Sequence, residues 1–200
     1  MERVRDVLPP EAYLVGGTAL AVHLRHRKSR DLDFFLSAPV DLDALEARLR
    51  KVGKLVVTWR DTQILNGVLD GAKVRFLEAA DQRIIEPITD MGGVRVAGVG
   101  DLMATKLNVV VRRPEARDYF DLLIVEQEAH RYVEEGLALF VERYRPTSPD
   151  QAISAIVRSL GYFGDVADAP GLPMRVTELE RYWQRRVPEL TAHLDRHGLN

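Results

Sequence analysis

The stretch from Tyr13 to Leu36 admits few folds: Tyr-Leu-Val-Gly-Gly-Thr-Ala-Leu-Ala-Val-His-Leu-Arg-His-Arg-Lys-Ser-Arg-Asp-Leu-Asp-Phe-Phe-Leu. A short apolar run ends in two glycines, a helical pattern follows from Ala19 to Leu24, and a basic loop leads into a second apolar run that carries Asp31 and Asp33. Strand side chains alternate between faces, so Asp31 and Asp33 are expected on one face and Leu32 and Phe34 on the other. Thr18 is the expected N-cap of the helix.

Two carboxylates held side by side repel unless a cation offsets them, and hard oxygen donors of this kind suit Mg²⁺ or Mn²⁺. Asp31 and Asp33 are therefore the candidate metal ligands. Gly16 and Gly17 lack a Cβ, which lets the backbone take positive φ and lets a phosphate approach the amides at the start of the helix. Gly16, Gly17 and Thr18 are accordingly candidates to hold a triphosphate whose metal sits on the aspartates. Isolated, an Asp-x-Asp is more often a solvated strand end and a Gly-Gly a tight turn; their combination in this order is the informative signal.

Downstream, Asp41 or Asp43 is expected to cap an amphipathic helix over 42–52, with Leu42, Leu45 and Leu49 on its buried face. Alternating β-like runs follow at 55–59, 63–69 and 73–77, with Asp70-Gly71 as a hairpin turn and a short strand at 94–98. After Gly100 the pattern turns helical: a helix over 102–111 capped by Asp101, then one over 115–128 separated from it by Arg113-Pro114. Lys106 and Arg113 would share a face if the first helix runs that far, and Arg117 and Asp121 are spaced as an i,i+4 pair on the second. The remainder reads as helices over 133–144, 150–160, 176–185 and 188–197, with Leu179, Trp183, Leu190 and Leu194 as core residues. The expected fold class is α+β, a small mixed sheet with flanking helices and a helical C-terminal part. Residues 1–128 form the expected core domain and 129–200 a helical region packed on it.

The chain has no cysteine, which excludes disulfides and thiolate zinc sites. No apolar run approaches the length of a membrane span, and the first residues carry no signal-peptide core, so a cytoplasmic protein without membrane partners is expected. The formal charge of −2 offers no global field for a polyanion. The segment His23 to Arg30 is locally basic, and Arg25, Arg27 and Lys28 are candidate nucleic-acid contacts; a solvated loop is the plainer alternative. Arg181, Arg185 and Arg186 could form an acceptor-facing basic strip, with a solvated face as the plainer account.

Gly16-Gly17-Thr18 followed by Asp31-Leu32-Asp33-Phe34 resembles the signature of the DNA polymerase β-like nucleotidyltransferase superfamily. More narrowly, Val15-Gly-Gly-Thr-Ala-Leu-Ala-Val-His-Leu with Ser29-Arg-Asp-Leu-Asp-Phe-Phe resembles the AbiEii branch, which includes the MenT toxins. Lys106, Arg113 and the run Arg117-Asp118-Tyr-Phe-Asp121-Leu are similar to that branch's later motif. The resemblance implies a nucleotidyltransferase core, Mg²⁺ or Mn²⁺ on Asp31 and Asp33, and an NTP substrate. It further implies nucleotide contacts from Ser29, Lys106, Arg113 and Arg117, with Asp118 or Asp121 orienting the basic groups or acting directly. Its partners would be an NTP, tRNA as acceptor and a cognate antitoxin. One departure stands out: where three-carboxylate members carry a third acid on a strand, this chain has Val74-Arg75-Phe76.

The residues and the resemblance together point to transfer of an NMP from an NTP to an acceptor hydroxyl, and the resemblance implies the tRNA 3′ end as acceptor. Two alternatives remain open at this stage: an aminoglycoside-type small-molecule nucleotidyltransferase, and a non-catalytic nucleotide- or RNA-binding module.

Overall fold

The computed structural model describes residues 2–197; Met1 and residues 198–200, the outer ends of the two expected domains, lie outside the described residues. The described residues form fifteen elements: β1 (Ala12–Val15), β2 (Leu32–Leu36), β3 (Leu55–Arg60), β4 (Ile64–Leu69), β5 (Ala72–Glu78), β6 (Thr89–Asp90) and β7 (Arg95–Val96), with α1 (Glu2–Arg5), α2 (Gly16–Leu24), α3 (Leu42–Val52), α4 (Val99–Arg112), α5 (Ala116–Glu128), α6 (Val133–Tyr144), α7 (Pro149–Gly161) and α8 (Val176–His197). They divide into two units, residues 1–23 with 28–98 and residues 24–27 with 99–200.

The first unit is built on a mixed sheet in the order β3-β4-β5-β2-β1-β7-β6. β3, β4 and β5 form an antiparallel meander, β5 runs parallel to β2, and β2 is antiparallel to β1. The β4–β5 turn is made by Asp70 and Gly71, both at positive φ (48° and 86°), the backbone that lets a two-residue loop match the twist of the strands. One face of the sheet is core: Leu65, Phe76 and Phe34 lie in register across β4, β5 and β2, and the two phenylalanine rings stack at 5.1 Å. α3 packs against β4 and turns Leu42, Leu45 and Leu49 inward, with Asp41 accepting from the Asp43 and Ala44 amides as its cap. Phe34 and Leu36 are buried while Asp33 and Phe35 are partly exposed, the alternation expected of a half-buried strand.

The second unit is helical. α4 packs against α5, α6 and α7, and α8 against α5, α6 and α7. Leu179, Trp183, Leu190 and Leu194 are all buried, so α8 contributes one apolar stripe along its length. The Trp183 indole N–H donates to the Tyr119 carbonyl at 3.3 Å.

Three local expectations are corrected. α2 begins at Gly16, at φ 70°, so Thr18 lies in its first turn and is not its N-cap. Asp101 is likewise inside α4, which starts at Val99; its carboxylate is buried and bonded to the buried guanidinium of Arg143 from α6, a stronger partner than two helix amides. The expected break before Pro188 does not occur. α8 runs straight through it, because Pro188 and Gln184, whose carbonyl loses its i+4 donor, are both exposed and water can satisfy that oxygen.

Candidate functional site

In the first unit the strand-to-helix bend sets the geometry. A Cβ placed on Gly16 would sit 2.9 Å from Asp33 Oδ2, so the bare glycine backbone lies directly against the carboxylate. In register, Val15 opposes Asp33 across β1 and β2. Asp31 immediately precedes β2 instead of lying within it, and its backbone is pinned: the Thr18 hydroxyl lies 2.8 Å from Ser29 Oγ and donates to the Asp31 carbonyl. Thr18 has one proton and the carbonyl can only accept, so Ser29 donates to Thr18. Ser29 and Thr18 together hold the approach to Asp31. His23 Nε2 donates to the Ala97 carbonyl at 2.8 Å.

These residues fit a divalent ion of the hard kind. Asp33 lies against a glycine cradle that a side chain would fill, and the first turn of α2, made of Gly16, Gly17 and Thr18, supplies the amide-rich end of a helix. Among the described residues no group of three or more acids and histidines is arranged to cage a metal alone. Mg²⁺ does not require one, since it is commonly held by one or two carboxylates together with substrate phosphates and water. In register beside Asp33 on β5 stands Arg75, exposed.

In the second unit Lys106 is buried with its amine between two carboxylates, 2.6 Å from Asp118 Oδ1 and 2.6 Å from Asp121 Oδ2. Asp121 is fully buried and also receives a two-point guanidinium contact from Arg27, Nε to Oδ1 at 2.6 Å and Nη2 to Oδ2 at 2.7 Å, plus His26 Nε2 at 2.8 Å. The His26 ring stacks on Phe120 at 5.8 Å. Burial alone would lower the Lys106 pKa, but Asp121 and Asp118 outweigh it and hold the amine above its ordinary value. Burial alone would raise Asp121; the Lys106 charge and the Arg27 and His26 bonds reverse this and hold it well below the usual carboxylate range. Two carboxylates thus face two permanent cations in a charge-balanced cluster.

Lys106, Asp118 and Asp121, singled out from the sequence, are brought together; His26 and Arg27, their partners from far along the chain, carry no sequence signal for that role. Arg27, expected as a nucleic-acid contact, is buried on Asp121, whereas Arg25 and Lys28 are exposed. α4 ends at Arg112, so Arg113 does not share its face with Lys106; Arg113 is exposed and bonds Glu115 at 2.8 Å. Arg117 also bonds Glu115, at 2.6 Å, while Asp121 turns inward.

The chain is similar to several known proteins. The chain is 28% identical over 182 residues to "Uncharacterized protein aq_aa25" of Aquifex aeolicus (strain VF5), covering 88% of this chain and 86% of that one. Its fold matches a crystal structure of a putative nucleotidyltransferase from H. pylori with a TM-score of 0.57 at 17% identity, over 97% of this chain and 92% of that one. A second structure, JHP933 from Helicobacter pylori, aligns with a TM-score of 0.49 at 16% identity over 95% and 92%. The family model described as "Nucleotidyl transferase AbiEii toxin, Type IV TA system" matches residues 1–197, and the chain belongs to that family of nucleotidyltransferase toxins.

Proposed function

We propose that the chain transfers an NMP from an NTP to the 3′ end of tRNA, with release of pyrophosphate, as the cytoplasmic toxin of a toxin–antitoxin pair. The observation that carries this is the close approach of the Gly16 backbone to Asp33 Oδ2, which sets the amides at the start of α2 beside the carboxylate that would hold the metal. Asp31 and Asp33 would hold Mg²⁺ or Mn²⁺, which supplies charge neutralisation on the triphosphate. Gly16, Gly17 and Thr18 donate backbone amides to phosphate, and Ser29 keeps the Asp31 segment in place. Lys106, with its amine kept charged by Asp118 and Asp121, and Arg113 and Arg117 serve the phosphates; Arg25 and Lys28 serve the nucleic acid. Residues 1–128 are the catalytic core and 129–200 its helical complement.

Phosphoryl transfer depends chiefly on positioning and charge, so two aspartates suffice even where Arg75 stands in place of a third acid. That arginine also favours a polyanionic acceptor over a cationic aminoglycoside. The test is incubation with each α-labelled NTP, Mg²⁺ and total tRNA. Label entering tRNA, abolished in Asp33→Asn, is the expected result. Label on a small amine-rich acceptor, or no transfer with any NTP, would overturn the reading.

A further inference from the structure

The sheet of the first unit has a second face, opposite its phenylalanine core, and a row of side chains crosses it. Asp33 on β2 is in register with Arg75 on β5, Arg75 with Asn66 on β4, and Asn66 with Trp59 on the edge strand β3. In-register partners share a face, so these four residues form one line starting at the proposed metal ligand. Three strand spacings separate its ends, roughly 14 Å.

The chemistry along the line is ordered. Arg75 is exposed, and among the described residues its side chain has no acid or hydrogen-bonding partner; Lys73, two residues earlier on the same face of β5, is the same. Most long basic side chains of the second unit's core are committed to carboxylates, Lys106 and Arg143 among them. Asn66 Oδ1 is buried without a hydrogen-bond partner. Trp59 is 60% exposed, and the neighbouring row ends in Val56, 52% exposed and in register with Val68 and Lys73. The bulge between Val57 and Trp59 interrupts the edge and disfavours pairing with another strand, so exposure of an indole here is not explained by sheet extension.

We propose that this row is the acceptor track: it holds the unpaired nucleotides of an RNA 3′ end, with phosphates on Arg75 and Lys73, a base or ribose edge on Asn66, and a base stacked on Trp59. Basic side chains leading to an open aromatic face are what sequence-tolerant single-strand binding uses. The arginine in place of a third acid thereby becomes a device for holding the acceptor next to Asp33. The proposal rests on the transferase reading for its purpose, but binding can be tested without turnover.

The chain has two tryptophans, and Trp183 is fully buried, so quenching by an added oligonucleotide reports Trp59. Short single-stranded oligoribonucleotides are titrated into the Asp33→Asn protein without NTP, beside Trp59→Phe, Trp59→Ala and Arg75→Ala variants followed by filter binding. We expect saturable quenching that weakens with salt, affinity lost by about tenfold or more in Trp59→Ala, a similar loss in Arg75→Ala, and substantial retention in Trp59→Phe. With active protein the two alanine variants raise the acceptor KM far more than the NTP KM. Absence of quenching with any oligonucleotide, or unaltered acceptor KM in both alanine variants of a protein that does label RNA, overturns the track. The second result would leave the transferase reading intact, whereas failure of all transfer alongside normal quenching would sink that reading and keep the track.

Discussion

Lys106 illustrates how a buried charge is tolerated at the residue scale. Its amine is out of water but meets two carboxylates, and Asp121 in turn meets Arg27 and His26, so no charge in the cluster stands alone. Removing one member exposes the cost of the others: Lys106→Met should destabilise the protein by about 3–5 kcal/mol, measured by urea unfolding, and adding Asp118→Leu should recover much of it. A loss under about 1 kcal/mol would mean the cluster contributes no more than a surface ion pair. The pH dependence follows from the depressed Asp121 pKa. A carboxyl whose folded pKa lies below its unfolded value binds fewer protons when folded, so its stabilisation is present above about pH 4 and is lost as pH falls through the folded pKa. The stability advantage of wild type over Asp121→Asn should therefore be level from about pH 5 to 7 and shrink below about pH 4, read as thermal midpoints across that range. Lys106, Asp118 and Asp121 stood out through their resemblance to a family motif, since they lie on two helices and spacing within a helix relates only Asp118 to Asp121. Arg27 and His26 were not, since a local run of basic residues looks the same whether its members face water or a distant acid.

At the scale of the element, the strands and the amphipathic helices were readable from period alone: α3 starts and stops where its apolar spacing and Asp41 require, and the Asp70-Gly71 hairpin sits between strands of the expected length. Helix starts were less legible. Thr18 and Asp101 have good capping side chains, but each was drawn to a tertiary partner, the Asp31 carbonyl and the Arg143 guanidinium, that no local pattern reveals. Pro188 misled in the opposite direction. A proline within a helix normally marks a break, yet the buried stripe of Leu179, Trp183, Leu190 and Leu194 continues on both sides and holds α8 as one helix. Because Pro188 is exposed, replacing it restores a backbone hydrogen bond without disturbing the core. Pro188→Ala should stabilise the protein by about 1–3 kcal/mol in urea unfolding, and a destabilisation would show that the proline sets a bend the packing needs.

At the scale of the whole molecule, the family and the mixed-sheet fold rest on the first unit's sheet and the second unit's helices together, since the family model spans residues 1–197. The catalytic reading, by contrast, rests on a small part of the first unit, the bend where Gly16 meets Asp33. A ligand that binds only the folded chain adds its binding free energy to the stability of the unit it occupies, about 2.7 kcal/mol at a hundred times its dissociation constant. For a chain of this size that corresponds to a rise of roughly 5–10 °C in the melting midpoint. The preferred NTP with Mg²⁺ should produce such a rise in wild type. Chelation by EDTA should reverse it, because the triphosphate then meets two uncompensated carboxylates, and Asp33→Asn should show it weakly or not at all. The nucleotide without metal is the deciding arm: a full rise there, insensitive to EDTA and to Asp33→Asn, would mean that the nucleotide is held by cationic side chains alone and that Asp31 and Asp33 do not carry the metal.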